Sequence, residues 1–176
     1  MPDNIYIILI PLLPLVCCLL LGIFGKKFFG LSSGLVGTML IGISTLLSLY
    51  VSYGYFFTCG KKVNAYSPVF PFKVPWLEFS PGLSIDMGVM LDPISVMMLV
   101  VVTFISLMVH IYSLAYMKGE ERYSTYYSFL GLFTFSMLGL VMSSNIFQIY
   151  MFWELVGVSS FLLIGFYYSK PSAVAA

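Results

Sequence analysis

The most constraining feature of this chain is where its charges are missing. Residues 5–24 carry none, 28–60 carry none, 93–117 carry only His110, and 123–153 carry none before Glu154. A bilayer core about 30 Å thick takes roughly 20 apolar residues as a helix, so each stretch is long enough to cross. Composition agrees: of 176 residues, 60% are hydrophobic and only 9% charged, where a soluble domain has about 25% charged residues. The chain reads as an integral membrane protein in a lipid bilayer.

Other classes fall away on the same numbers. A net charge of +1 leaves no basic surface for a nucleic-acid backbone. Cys17 and Cys18 are adjacent inside an apolar run and Cys59 stands alone, so neither a disulfide framework nor a zinc site follows. The first stretch lacks the basic leader, short core and small-residue cleavage site of a signal peptide. It therefore reads as a spanning helix, and its Pro11 and Pro14 remove two backbone hydrogen bonds that neighbouring helices can restore.

Residues 123–168 are too long for one span, and Ser143, Ser144 and Asn145 supply the only run of three turn formers within them. The expected fold is an all-α, polytopic transmembrane bundle of about five spans, near 5–24, 29–52, 93–117, 123–142 and 146–168. It divides into 1–52, with two helices; 53–91, an exposed segment; and 92–176, with three helices. Within 53–91 the runs Val74 to Phe79 and Leu83 to Met90, joined by Ser80-Pro81-Gly82, predict a small β-hairpin. Asp92 is placed to cap the third helix, and Pro93 suits its first position.

Orientation follows the lysines and arginines of short loops. Lys26, Lys27, Lys118, Arg122 and Lys170 would lie on one side. Lys61, Lys62 and Lys73 would lie on the other, with Asp3, Glu78, Asp86 and Asp92. The first side is expected to be cytoplasmic, leaving the N-terminus and 53–91 outside.

Chemistry is then sought among ionisable groups at membrane depth, which are costly unless paired or solvated. Glu154 lies three residues from the centre of its span, roughly 4.5 Å from the midplane at 1.5 Å per residue. It reads either as a clamp between helices or as a proton-transfer carboxylate, with Gly157 and Ser160 leaving room for a helix or water. On the third span, Asp92, Ser95, Thr103, Ser106, His110 and Ser113 fall within an arc of roughly 80°. That stripe is either a ladder of interhelical hydrogen bonds or a hydrated proton path with His110 as a relay. With a single histidine, bis-His haem ligation is excluded, and no nucleotide, metal or nucleophile motif is present.

The runs LDPISVMMLVVVTFISLMVHIYSLAYM (91–117) and SNIFQIYMFWELVGVSSFLLIGFYY (144–168) resemble the N-terminal part of subunit L of bacterial NADH:quinone oxidoreductase, respiratory complex I. The resemblance rests on Leu91-Asp92, Ser95, His110-x-Tyr112, Tyr116-Met117, Asn145, Trp153-Glu154 with Gly157 and Ser160, and LIGFYY at 163–168. It implies an antiporter-like proton-pumping subunit of the bacterial inner membrane, working among other membrane subunits. In such a subunit a glutamate at the Glu154 position pairs with a lysine on a later broken helix. It also implies no redox centre in this chain, with NADH, flavin, iron–sulfur clusters and quinone handled elsewhere in the complex. Subunits of this kind are several times longer, and this sequence carries no lysine within its spans. The expectation is an N-terminal fragment or truncated product whose missing part supplies that lysine. The alternatives are the large subunit of a multisubunit cation/proton antiporter, which shares these motifs, and a non-catalytic membrane scaffold.

Overall fold

The computed structural model describes residues 4–59, 68–80, 83–120 and 122–168. Asp3, Lys61, Lys62 and Lys170 of the orientation argument and Pro81-Gly82 of the expected turn lie outside the described residues. Five helices are long and apolar enough to span a membrane: α1 (Asn4–Ile23), α2 (Ser33–Tyr53), α3 (Pro93–Tyr116), α4 (Tyr123–Val141) and α5 (Ile146–Ile164). Between α2 and α3 lies an antiparallel hairpin of β1 (Val69–Ser80) and β2 (Leu83–Leu91).

Two boundaries differ from the sequence reading, each for a local reason. The second helix starts at Ser33 instead of residue 29, because Gly25–Phe29 forms a wider π turn and Gly30 takes φ +44°, which glycine tolerates and which stops a right-handed helix. The first strand starts at Val69, five residues before Val74, and so runs through Pro71 and Pro75. A proline donates no ladder hydrogen bond, which an edge strand tolerates, and both strands of a two-stranded sheet are edges. Pairing is irregular between Val69 and Phe72 and again between Pro75 and Leu77.

α3 begins as its sequence dictates. The Asp92 carboxylate accepts from the Ser95 N–H at 2.6 Å, and Pro93 occupies the first turn. Hydrogen bonding from Ser95, its side chain first and then its N–H, holds the Asp92 carboxyl below the usual aspartate range. Asn145 caps α5 in the same way, accepting from the Gln148 N–H at 2.8 Å.

α1 packs against α2 and α4, α3 packs against the same two helices, and α5 leans on α4. Two apolar clusters hold the bundle. One, at the hairpin end, joins Ile7, Ile10, Val51, Leu91, Leu99 and Leu138; the other joins Cys17, Leu21, Met117, Tyr123, Tyr127 and Phe166. Close approach is built from small residues: a Cβ on Gly131 would sit 3.1 Å from the Pro14 carbonyl oxygen of α1, and the Phe152 ring of α5 lies across Gly139 of α4.

The prolines of α1 show how a bundle in lipid balances its hydrogen bonds. Pro14 has no N–H, so the Ile10 carbonyl one turn earlier has no helical donor. The Ser44 hydroxyl of α2 supplies one at 2.8 Å, in a fully buried position. Further along α1, the Ser128 hydroxyl of α4 donates to the Cys18 carbonyl at 2.8 Å.

The hairpin is fastened to the α4–α5 turn. The Met90 N–H donates to the Met142 carbonyl at 2.9 Å, and Val89 bridges Ser143. The Gly88 N–H donates to the Gln148 side-chain oxygen at 3.2 Å, and the Asn145 amide donates to the Asp86 carbonyl. At α1, the Asn4 amide donates to Pro71 at 3.2 Å, so the start of α1 and the hairpin share one end of the bundle.

Candidate functional site

The polar stripe of α3 lies inside the bundle. Thr103 is buried, shares a hydrogen bond with Ser48 of α2 at 2.8 Å, and accepts at its carbonyl from Thr45 at 3.1 Å. Ser106 meets Thr134 of α4 at 2.6 Å, and Ser113 meets the Tyr126 hydroxyl at 3.2 Å. Tyr112 and Tyr116, which fall outside the polar arc, stack on each other at the exposed surface.

His110 is fully buried in this ladder. Its Nδ1 lies 2.8 Å from the Ser106 carbonyl oxygen. A carbonyl only accepts, so Nδ1 carries the proton and, in the neutral ring, Nε2 presents a lone pair. That Nε2 is buried and has no partner among the described residues. The Tyr127 hydroxyl donates to the His110 carbonyl at 3.1 Å, and the two rings lie 5.6 Å apart.

Glu154 is held differently. It sits near the middle of α5, about 4 Å from the centre of the 146–167 span at 1.5 Å per residue, and its side chain is exposed on the face turned away from α4. Only 11% of the central stretch of α5 is buried, against 50% for α4. Tyr150, one turn earlier, interacts with the carboxylate. Trp153 is exposed beside it, and a Cβ on Gly157, one turn later, would meet nothing within 4 Å. The Ser160 hydroxyl turns back to the Gly157 carbonyl at 2.8 Å. Glu154, Trp153 and Gly157 thus share an open strip of α5.

The structure does not bring His110 and Glu154 together. His110 is buried between α3 and α4, toward the end of α3 nearest Lys118, and Glu154 lies outside α4 on the other side of its midplane. Counted along the helices, their depths differ by about 10 Å. The sequence reading missed the partners of the stripe, Thr45 and Ser48 on α2 and Tyr126 and Thr134 on α4, and Ser44, which serves the Ile10 carbonyl of α1. Their spacing, with Ser44 and Ser48 four residues apart, was the available signal. It also missed Gln148, which is buried and receives the Gly88 N–H. Among the described residues no group of three or more His, Cys, Asp or Glu side chains converges on a metal position.

With this geometry in place, sequence comparison settles the family. Residues 76–127 match the family described as NADH-Ubiquinone oxidoreductase (complex I), chain 5 N-terminus. Residues 143–176 match NADH:quinone oxidoreductase/Mrp antiporter, TM. NADH-quinone oxidoreductase subunit L of Neisseria meningitidis is 41% identical over 177 aligned residues, covering 100% of this chain and 25% of that protein. The chain belongs to the N-terminal part of the subunit L family. Chloroplastic NAD(P)H-quinone oxidoreductase subunit 5 of Marchantia polymorpha is 41% identical over 95% of the chain and that of Anthoceros angustus 38% over 96%, covering 24% and 22% of those proteins. The chain thus spans about a quarter of the length of these curated relatives. Across the subunit L alignment both Glu154 on α5 and the stripe on α3 fall within the matched residues.

Proposed function

We propose that this chain forms the N-terminal part of a proton-translocating subunit of NADH:quinone oxidoreductase, with Glu154 as a proton-transfer carboxylate. The observation that carries the proposal is the position of Glu154, near the middle of a spanning helix and on a face that nothing in the described bundle covers. A carboxylate at that depth is unfavourable against lipid. The open strip with Gly157 therefore faces a further protein element or a file of water in the whole subunit. A carboxyl there changes protonation when an approaching cation stabilises its charge and is neutral when the cation withdraws, which is the cycle a proton carrier needs. Trp153 and Ser160 flank that strip. His110, with an open Nε2, and its neighbours Thr103, Ser106 and Ser113 form a second polar track, to which we assign a supporting relay role.

In this reading the subunit sits in the bacterial plasma membrane among other membrane subunits, and electron transfer through NADH, flavin, iron–sulfur clusters and quinone occurs in those other subunits. The N-terminus and hairpin face outward. What supports that orientation is the cluster of Lys27, Lys118 and Arg122 at the opposite end of the bundle, the cytoplasmic preference of basic residues in short loops. Lys118→Cys in the full-length protein should react with an impermeant thiol reagent only from the cytoplasmic side. Labelling from outside would reverse the orientation.

The proton role is tested by Glu154→Gln in the full-length subunit, within its assembled complex. Glutamine preserves size but cannot ionise, so NADH-driven proton uptake into vesicles should drop on the order of 10²-fold, while Glu154→Asp should lose less and His110→Ala less again. Wild-type pumping by an assembled Glu154→Gln complex would make Glu154 a clamp.

A further inference from the structure

At the end of the bundle opposite the hairpin, Arg122 sits immediately before α4 with an arrangement that the proton reading does not use. Its guanidinium carbon lies 5.7 Å from the Phe166 ring and 5.1 Å from the Tyr168 ring. One guanidinium nitrogen, Nη1, is buried and has no hydrogen-bond partner among the described residues. A buried charged donor left unmet is expensive, and aromatic faces attract the cation without accepting these N–H bonds in the plane.

Beside it is a cavity of about 270 Å³, lined by Arg122, Phe129, Phe161, Gly165, Phe166 and Tyr168 with Leu162. Since a liquid water occupies about 30 Å³, this is room for a phosphodiester group and several methylenes. Its lining is one cation in an otherwise mostly apolar wall. It also lies at the ends of two candidate spans, where α4 begins and α5 gives way to the Gly165–Tyr167 turn. The same end carries exposed Lys27 and Lys118, a basic and aromatic rim of the kind that draws anionic headgroups.

We propose that this cavity is a binding site for an anionic phospholipid, its phosphate held by the Arg122 guanidinium and the start of an acyl chain lying against Phe129 and Phe161. A phosphate oxygen supplies the acceptor that Nη1 lacks, and guanidinium matches phosphate geometry with paired donors. A free phosphate would answer the arginine but would leave the apolar wall empty. The site stands on Arg122 and the end of α5, so it holds or fails independently of Glu154.

The test uses the full-length subunit in its complex, exchanged into nanodiscs of mixed phosphatidylglycerol and phosphatidylcholine, delipidated and examined for retained lipid by native mass spectrometry. Wild type should retain phosphatidylglycerol preferentially. Arg122→Gln should cut that retention about fivefold, from the loss of one cation near an anionic headgroup, with Arg122→Lys falling less. Gly165→Leu should cut it as well, because Gly165 lines the cavity and a Cβ there would meet nothing within 4 Å, so the larger side chain is accommodated and competes with the lipid for space. Lys73→Gln, on the hairpin at the opposite end of the bundle, should leave it unchanged. If Arg122→Gln does not assemble, Gly165→Leu decides. Wild-type retention in either assembled variant overturns the proposal, as does displacement of the lipid by inorganic phosphate alone.

Discussion

Along α2, α3 and α4 the hydroxyls turn inward and find one another, whereas α5 turns its carboxylate outward. Thr103 with Ser48, Ser106 with Thr134 and Ser44 with the Ile10 carbonyl all close their hydrogen bonds inside the bundle. Glu154 has Tyr150 on its own helix and open space beside Gly157. The difference separates two uses of polarity at membrane depth. Hydroxyls are small, neutral and able to donate to a carbonyl that a proline has orphaned, so they fasten helices together. A carboxyl is a poor fastener in lipid, because its charged form needs water or a partner of opposite charge.

Three substitutions measure this contrast as stability, in decreasing size. Ser44→Ala should be the most damaging, because it leaves the buried Ile10 carbonyl without a donor and costs about 1–3 kcal/mol; unfolding in mixed micelles would show it, and a wild-type value would mean that α1 rearranges to satisfy itself. Asp92→Ala should cost about 1 kcal/mol through the lost cap. The cap also sets a pH dependence. Its folded pKa is depressed, so the stabilisation is present above the unfolded aspartate value and is lost as pH falls through the folded value. Asp92→Ala should flatten that acid limb, and an unchanged limb would assign it to another carboxylate. Glu154→Gln should change the stability of the helical bundle least, by under about 0.5 kcal/mol, as an exposed substitution does. A large loss would show the carboxylate to be a fastener after all and erase the distinction.

The helices were legible because span length and charge placement are properties of single segments. The hairpin was legible through its two β-favouring runs, although Pro71 and Pro75 concealed the start of β1, since a proline argues against a strand everywhere except at an edge. The start of α2 was not legible, because Gly30 between apolar residues does not announce a positive φ. At the candidate site the arc of α3 could be computed from sequence, yet the choice between ladder and path depended on which residues of α2 and α4 faced it. Periodicity on one helix says nothing of its rotation against another. Nor could sequence reveal that Glu154 points away from the four-helix core, since that depends on α5 leaning on α4 with its opposite face.

The hairpin's attachment to the α4–α5 turn has a mechanical consequence. Asn145 and Gln148 open α5, and both are bonded to backbone groups of β2, at Asp86 and Gly88. A slide of α5 along its own axis would strain both bonds together. The hairpin therefore acts as an axial stop for α5, and so fixes the height of the Glu154 carboxyl in the bundle.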